Sequence, residues 1–172
     1  MRWQLLESIT DLVPGVRAAG RMRTDFPDEL FVDHFPSFPI VPGVLLVEAG
    51  AHLGGMLVMA SVHAARGILV FPFLSMVQEA KLRSFVAPRT PLIVRATLDM
   101  LRPEGALCRV VVERDNTRCA SMQLMFAFEP AGAAPGGDPA RLHAYVDSEL
   151  ERLGSPWRAT ASSRDPRVTH TS

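Results

Sequence analysis

Cysteine is scarce in this chain: there are two in 172 residues, Cys108 and Cys119. That is too few for a disulfide framework, and their placement makes no zinc ribbon. Both fall in strand-like stretches, where a free cysteine usually serves as a small buried apolar side chain. Net charge is missing too. Lys plus Arg and Asp plus Glu each total 18, which removes any global electrostatic argument for nucleic acid or an anionic membrane as partner. A local basic patch is still compatible with a zero sum. The opening stretch MRWQLLESITDLVPG has an early acidic residue and no continuous apolar run, unlike a secretory signal. A reducing, cytoplasmic setting is the expectation. No internal repeat is apparent.

What the chain does hold is 48% hydrophobic residues against 21% charged, at a length that suits one domain with a sizeable core. The densest apolar run, from Val44 to Val62, resembles a membrane span at first sight. It contains Glu48, His52 and three glycines, however, and no Lys, Arg or aromatic anchor directly flanks it on the N-terminal side. An ionisable side chain at mid-bilayer costs about 2.5–3.5 kcal/mol even on the lenient insertion scale. A helix that is apolar all round can equally be the core of a soluble protein. The buried-helix reading is taken, with no membrane span.

Before this run, residues 1–12 alternate loosely and read as a short helix or turn, 16–23 as a first strand, and 24–38 as a loop. Prolines at 27, 36, 39 and 42 keep that approach extended. Pro42-Gly43 opens the helix, which continues to about Ala65, and Gly67 suits its left-handed cap. Beyond it the period changes to two. Residues 68–74, interrupted by Pro72, and 77–86 read as two strands. Residues 92–101, 107–113 and 118–128 read as an antiparallel meander joined by tight turns at Pro103-Glu104-Gly105 and Asp115-Asn116. One long apolar helix followed by such a meander predicts an α+β fold in which a curved sheet wraps the helix. Composition changes at Pro130. The expected organisation is a main domain over 1–130, a linker over 131–139, a helix over 140–155 and a disordered polar tail over 156–172.

The most informative stretch is DHFPSFPIVPGVLLVEAGAH, Asp33 to His52. It sets His34 in a proline-stiffened loop, Gly43 at a helix start, and the Glu48 carboxylate one turn into an otherwise apolar helix. A carboxylate there is costly unless paired or kept neutral. The first N–H groups of the helix, at Gly43 and Val44, have no intrahelical acceptor. They also lie at the positive end of the helix dipole, which suits a carbonyl oxygen gaining negative charge. A base, an acid and an oxyanion site are the parts needed to abstract a proton α to a carbonyl and expel a β-hydroxyl.

The run HFPSFPIVPGVLLVEAGAH resembles the signature of the FabZ/FabA family of 3-hydroxyacyl-acyl-carrier-protein dehydratases, of the FabZ type because the acid is Glu. WQLLESITDLVPG and VQEAKLRSFVAPRTPL extend the likeness less strongly, so that it covers about Trp3 to Glu129. The resemblance implies a hot-dog fold, a catalytic pair of His34 and Glu48, and Gly43 polarising the thioester carbonyl. It implies a homodimer in which His34 of one subunit faces Glu48 of the other, with a trimer of dimers left open. An acyl tunnel beside the helix and an acyl-carrier-protein thioester as substrate are also implied, and no cofactor is required. Val44, Phe71 and Phe73 are candidate substrate contacts, and Leu74 with the two phenylalanines could line the tunnel, although aromatic strand residues are more often plain core.

Three departures qualify the likeness. Ser37 stands where the family usually has Gly, His52 where it has Gln, and Pro88-Arg89-Thr90 replaces a Pro-Gly-Asp turn. His52, one turn beyond Glu48, could hydrogen-bond or charge-pair with it, and is either its partner or a core histidine. His34, Glu48 and His52 could ligate a metal by residue type, but no compact zinc motif is present. Lys81, Arg83 and Arg89 read either as a landing patch for an acidic carrier protein or as solvated charge. Two other functions compete with the dehydratase: a non-catalytic hot-dog subunit that binds acyl chains or supports a partner enzyme, and a hot-dog thioesterase.

Overall fold

In the computed structural model, which describes residues 4–32, 34, 36–130 and 138–157, the chain opens with two strands, β1 (Leu6–Val13) and β2 (Arg17–Met22). A single-turn helix α1 (Glu29–Val32) and the long helix α2 (Gly43–Arg66) follow. Then come β3 (Val70–Leu82), β4 (Leu92–Leu101), β5 (Gly105–Arg114), β6 (Thr117–Pro130) and a final helix α3 (Pro139–Arg152). The strands form one antiparallel sheet in the order β1-β2-β4-β5-β6-β3. The sheet wraps α2 and contacts it through all six strands. This is the hot-dog arrangement.

The reason lies in α2. Leu45, Leu46, Ala49, Leu53, Leu57, Val58 and Val62 are all buried, and no flat sheet could cover so many directions at once. By length and composition α2 could cross a membrane, but its most apolar window is 61% buried inside the fold. Two glycines bring the helix close to the sheet. A Cβ on Gly50 would stand 3.0 Å from Met122 and from Val110, and one on Gly54 would stand 3.0 Å from the Phe126 ring. Gly67 ends the helix in the left-handed region at φ 68°, its N–H donating to the His63 carbonyl at 2.8 Å. The His63 ring, on the last turn, meets Trp157 edge-on with centroids 5.8 Å apart.

Three expectations need correction. Residues 1–12 are not a helix or turn, because β1 occupies most of them. Its buried residues, Leu6, Ile9 and Leu12, recur every third position. Register shifts between Leu6 and Ser8 and between Ile9 and Asp11 produce that spacing, since a bulge changes which residues face inward. The two strands expected over 68–86 are one, β3, with Pro72 inside it opposite Phe128. β3 is an edge strand, where a proline's missing N–H removes no ladder bond. The loop over 24–38 also contains α1, which seats Phe31 in the core.

The departure at Pro88-Arg89-Thr90 has a structural counterpart. Arg89 adopts φ 60°, a conformation that costs a non-glycine residue roughly 1–2 kcal/mol. Its N–H donates to the Thr24 carbonyl at 2.9 Å, and the Thr24 hydroxyl in turn donates to the Thr90 carbonyl at 2.6 Å. The turn is tied to the segment leaving β2.

The C-terminal helix is part of the same core. Leu142, Val146, Leu150 and Leu153 are buried with the α2 and β1 side chains. Asp138 caps it by accepting from the Ala140 N–H at 2.9 Å. At the other end, the Ile9 N–H donates to the Leu153 carbonyl at 2.9 Å. The expected linker, apart from Asp138 and Pro139, and the expected tail beyond Trp157 lie outside the described residues.

Candidate active site

The start of α2 brings the chemistry into position. Pro42 pre-sets the entry at φ −56° and offers no side-chain cap, so the first turn is left without the Ser, Thr or Asp acceptor that often covers it. A cavity of about 340 Å³ borders this end, lined by Ile40, Val41, Gly43, Leu46 and the strap Leu82 to Val86. A Cβ at Gly43 would sit 2.2 Å from a Leu82 methyl, so a larger residue there would have to displace the Leu82 side chain. Val44 is 72% exposed and turned away from the core.

Glu48, half-buried, lies on the wall of a second cavity of about 270 Å³. Ala51, His52, Pro72, Leu74, Phe126 and Tyr145 complete the lining. The wall is mixed: four apolar side chains share it with one carboxylate, one imidazole and one phenol. Phe71 and Phe73 are not in this wall. Leu74, the third of the candidates on this strand, is in it together with Pro72 on the same parity of β3, while Phe71 packs on the core and Phe73 is exposed. His34 follows α1, its N–H donating to the Phe31 carbonyl at 3.2 Å, and it is half-buried. It lines neither cavity. Within one chain Glu48 and His52 share a cavity, Gly43 borders another, and His34 is in the lining of neither.

His52 has a partner that its position in the sequence did not suggest. Its Nε2 lies 3.2 Å from Oε1 of Glu149 on α3. The contact is close, but its geometry falls short of an aligned hydrogen bond. Glu149 is also gripped by the Arg152 guanidinium, which donates through Nε at 2.8 Å and through Nη2 to the other carboxylate oxygen. Arg152 Nη1 donates onward to the Leu6 carbonyl at 3.0 Å. The hydrogen bonds from Arg152 hold the Glu149 carboxyl down at about 2, against the opposing effect of burial, with His52 contributing in the same direction.

A pH dependence follows. A carboxylate held below its unfolded value stabilises the fold above that value and loses its contribution as the pH falls towards the folded one. For Glu149 the window runs from 4.5 down to about 2. Glu149→Gln is therefore expected to lower the urea midpoint at neutral pH and to flatten its decline across that acid window. Parallel pH curves for the two proteins would remove this role.

Of the expected basic patch, Lys81 and Arg83 line one depression together with Arg95, Arg109 and Arg118, with Lys81 paired to Glu79 at 2.6 Å, whereas Arg89 lines a separate one with Arg21 and Asp25. Arg83 also borders the Gly43 cavity. Burial raises the Cys108 thiol to about 12, so it is an inert core side chain. Among the described residues no group of three or more His, Cys, Asp or Glu could hold a metal ion.

A curved sheet round one long helix, with an acid one turn into that helix, defines a hot-dog protein. Residues 2–121 match the model of the FabA-like domain, and the chain belongs to that family. It is 30% identical over 122 residues to the 3-hydroxyacyl-[acyl-carrier-protein] dehydratase FabZ of Ligilactobacillus salivarius, covering 71% of this chain and 85% of the relative. The FabZ of Clostridium acetobutylicum is 33% identical over 101 residues, 59% of this chain and 68% of the relative. Among solved structures, the dehydratase heterocomplex from Xenorhabdus doucetiae aligns with a TM-score of 0.60 at 12% identity, over 74% of this chain and 84% of that one. A putative thioesterase from Lactococcus lactis aligns with a TM-score of 0.56 at 14% identity, over 72% and 96%. At these identities the structural likeness establishes the fold.

Proposed function

We propose that this protein is a dehydratase that removes water from a 3-hydroxyacyl-acyl-carrier-protein thioester, giving the trans-2-enoyl thioester. The observation that carries the reading is Glu48, a carboxyl group one turn into a core helix and on the wall of a cavity that it shares with His52, in a chain of the FabA-like family. His34 takes the α-proton. The electron pair of that C–H bond forms the new double bond, and the C–O bond to the hydroxyl breaks as Glu48 supplies a proton, so that water leaves. The N–H at Gly43 steadies the negative charge on the thioester oxygen in the transition state. No cofactor enters this balance.

The active unit in this reading is a homodimer, with His34 reaching Glu48 of the second copy. Two features support it. His34 does not line its own chain's Glu48 cavity. The outer edge of β3 pairs with no strand among the described residues. Met76, Val77 and Leu82 are exposed along that strand, with Phe85 just beyond its end. A long apolar edge left unpaired invites aggregation, and pairing with a second copy covers it. Arg83, beside the Gly43 cavity, suits an approaching acidic carrier protein.

The test is to incubate the protein with 3-hydroxyacyl carrier-protein thioesters and follow the mass. Loss of one water, or its gain when a 2-enoyl thioester is supplied, is the expected result. Release of free carrier thiol would mean a thioesterase, and an inert protein that still binds acyl ligands would mean a binding subunit.

A further inference from the structure

α3 lies beyond the residues that the family model matches, yet it supplies part of the wall around Glu48. Glu48 and His52 are spaced i, i+4 on α2, and Tyr145 and Glu149 have the same spacing on α3, so each pair lies along one side of its helix. The His52–Glu149 contact at 3.2 Å joins the two helices, and Tyr145 lines the cavity that holds Glu48.

We propose that Tyr145 is a specificity-determining residue whose ring limits the acyl group beside Glu48 to a short chain. The cavity holds about 270 Å³, below the roughly 300–1,000 Å³ usual for small-molecule sites. Leu74, Pro72 and Phe126 are held by the sheet, which leaves the α3 side as the wall that a change of one residue can move. α3 cannot readily swing aside. Four buried leucine and valine side chains seat it, the Ile9 N–H binds its C-terminal carbonyl, and Arg152 ties it to Leu6. Tyr145 itself is 51% exposed, so its replacement removes wall without opening the core. Burial and the nearby Glu149 carboxylate raise its phenol above the usual value, and the ring therefore stays neutral at physiological pH.

The identity of the reaction rests on the dehydratase reading, but the role of the ring is measurable without it. Wild type, Tyr145→Ala, Tyr145→Phe and Tyr145→Trp would be compared, each as the full chain with its thermal midpoint checked. The substrates are 3-hydroxyacyl carrier-protein thioesters from butyryl to palmitoyl length. Wild-type kcat/KM should fall with chain length. Tyr145→Ala should raise the long-to-short ratio about tenfold or more, within the range that a change of pocket size brings, chiefly through KM. Tyr145→Phe should keep the wild-type ratio, and Tyr145→Trp should sharpen it. An unchanged ratio in Tyr145→Ala overturns the proposal while leaving the dehydratase reading intact. If wild type is inert at every length, the dehydratase reading fails. Calorimetric binding of acyl-pantetheine amides of the same lengths then decides the role of Tyr145 by the same ratio in Kd.

Discussion

His34→Ala is expected to lower dehydration turnover by about 10²–10⁴-fold, the range in which a positioned acid or base contributes. Glu48→Gln should fall in the same range if Glu48 delivers the proton to the leaving hydroxyl. The amide keeps the size and much of the hydrogen bonding of the carboxyl but has no proton of that acidity to give. Both side chains are half-buried, so the thermal midpoints should change little, and the loss should appear in kcat. The two variants also separate two mechanisms. If His34 carries both proton transfers and Glu48 only orients or polarises, Glu48→Gln loses markedly less than His34→Ala. Steady-state rates measured by mass change on one thioester decide between them. Near-wild-type kcat in His34→Ala would remove it as the base.

The largest effect on stability is expected at the centre of α2. Leu57 is fully buried, packed with Leu53, Val58 and the inward side chains of the sheet. Leu57→Ala deletes apolar volume where helix and sheet enclose the site from several sides, and relaxation can fill only part of the void. Leu→Ala changes in such positions cost about 2–5 kcal/mol, against a total stability of about 5–15 kcal/mol for a typical domain. A urea titration should show the midpoint falling in proportion with an unchanged slope. A loss below about 1 kcal/mol would mean that the core collapses around the gap, contrary to the close packing at Gly50 and Gly54.

Much of this architecture is readable from residue patterns. The α2 run is too apolar for a surface helix, Gly67 marks its end, and the β4, β5 and β6 alternation appears as strict period two. These signals survive because each depends on local chemistry: cap geometry, side-chain parity and turn residues. β1 and β3 were misread where local signals mislead. Bulges gave β1 a helix-like spacing of three, and Pro72 split a strand whose edge position makes the proline harmless. Neither bulge nor edge position is a property of the residues alone.

The candidate site divides in the same way. The sequence by itself determined the chemical parts: His34 in a proline-stiffened loop, Gly43 at a helix start and Glu48 one turn on, at a spacing that resembles one family. Such parts lie within 20 residues of one another, where local geometry and motif suffice. Only the tertiary structure decided that, of the candidates Phe71, Phe73 and Leu74, Leu74 alone walls the Glu48 cavity, with Pro72 beside it, because the parity of a strand is set by its register with a neighbour. The same holds for His52, which meets Glu149, and for Tyr145, which lines the cavity. Those residues are separated by nearly a hundred positions, and a contact across that distance arises from the packing of α3 against the core, which no local pattern encodes.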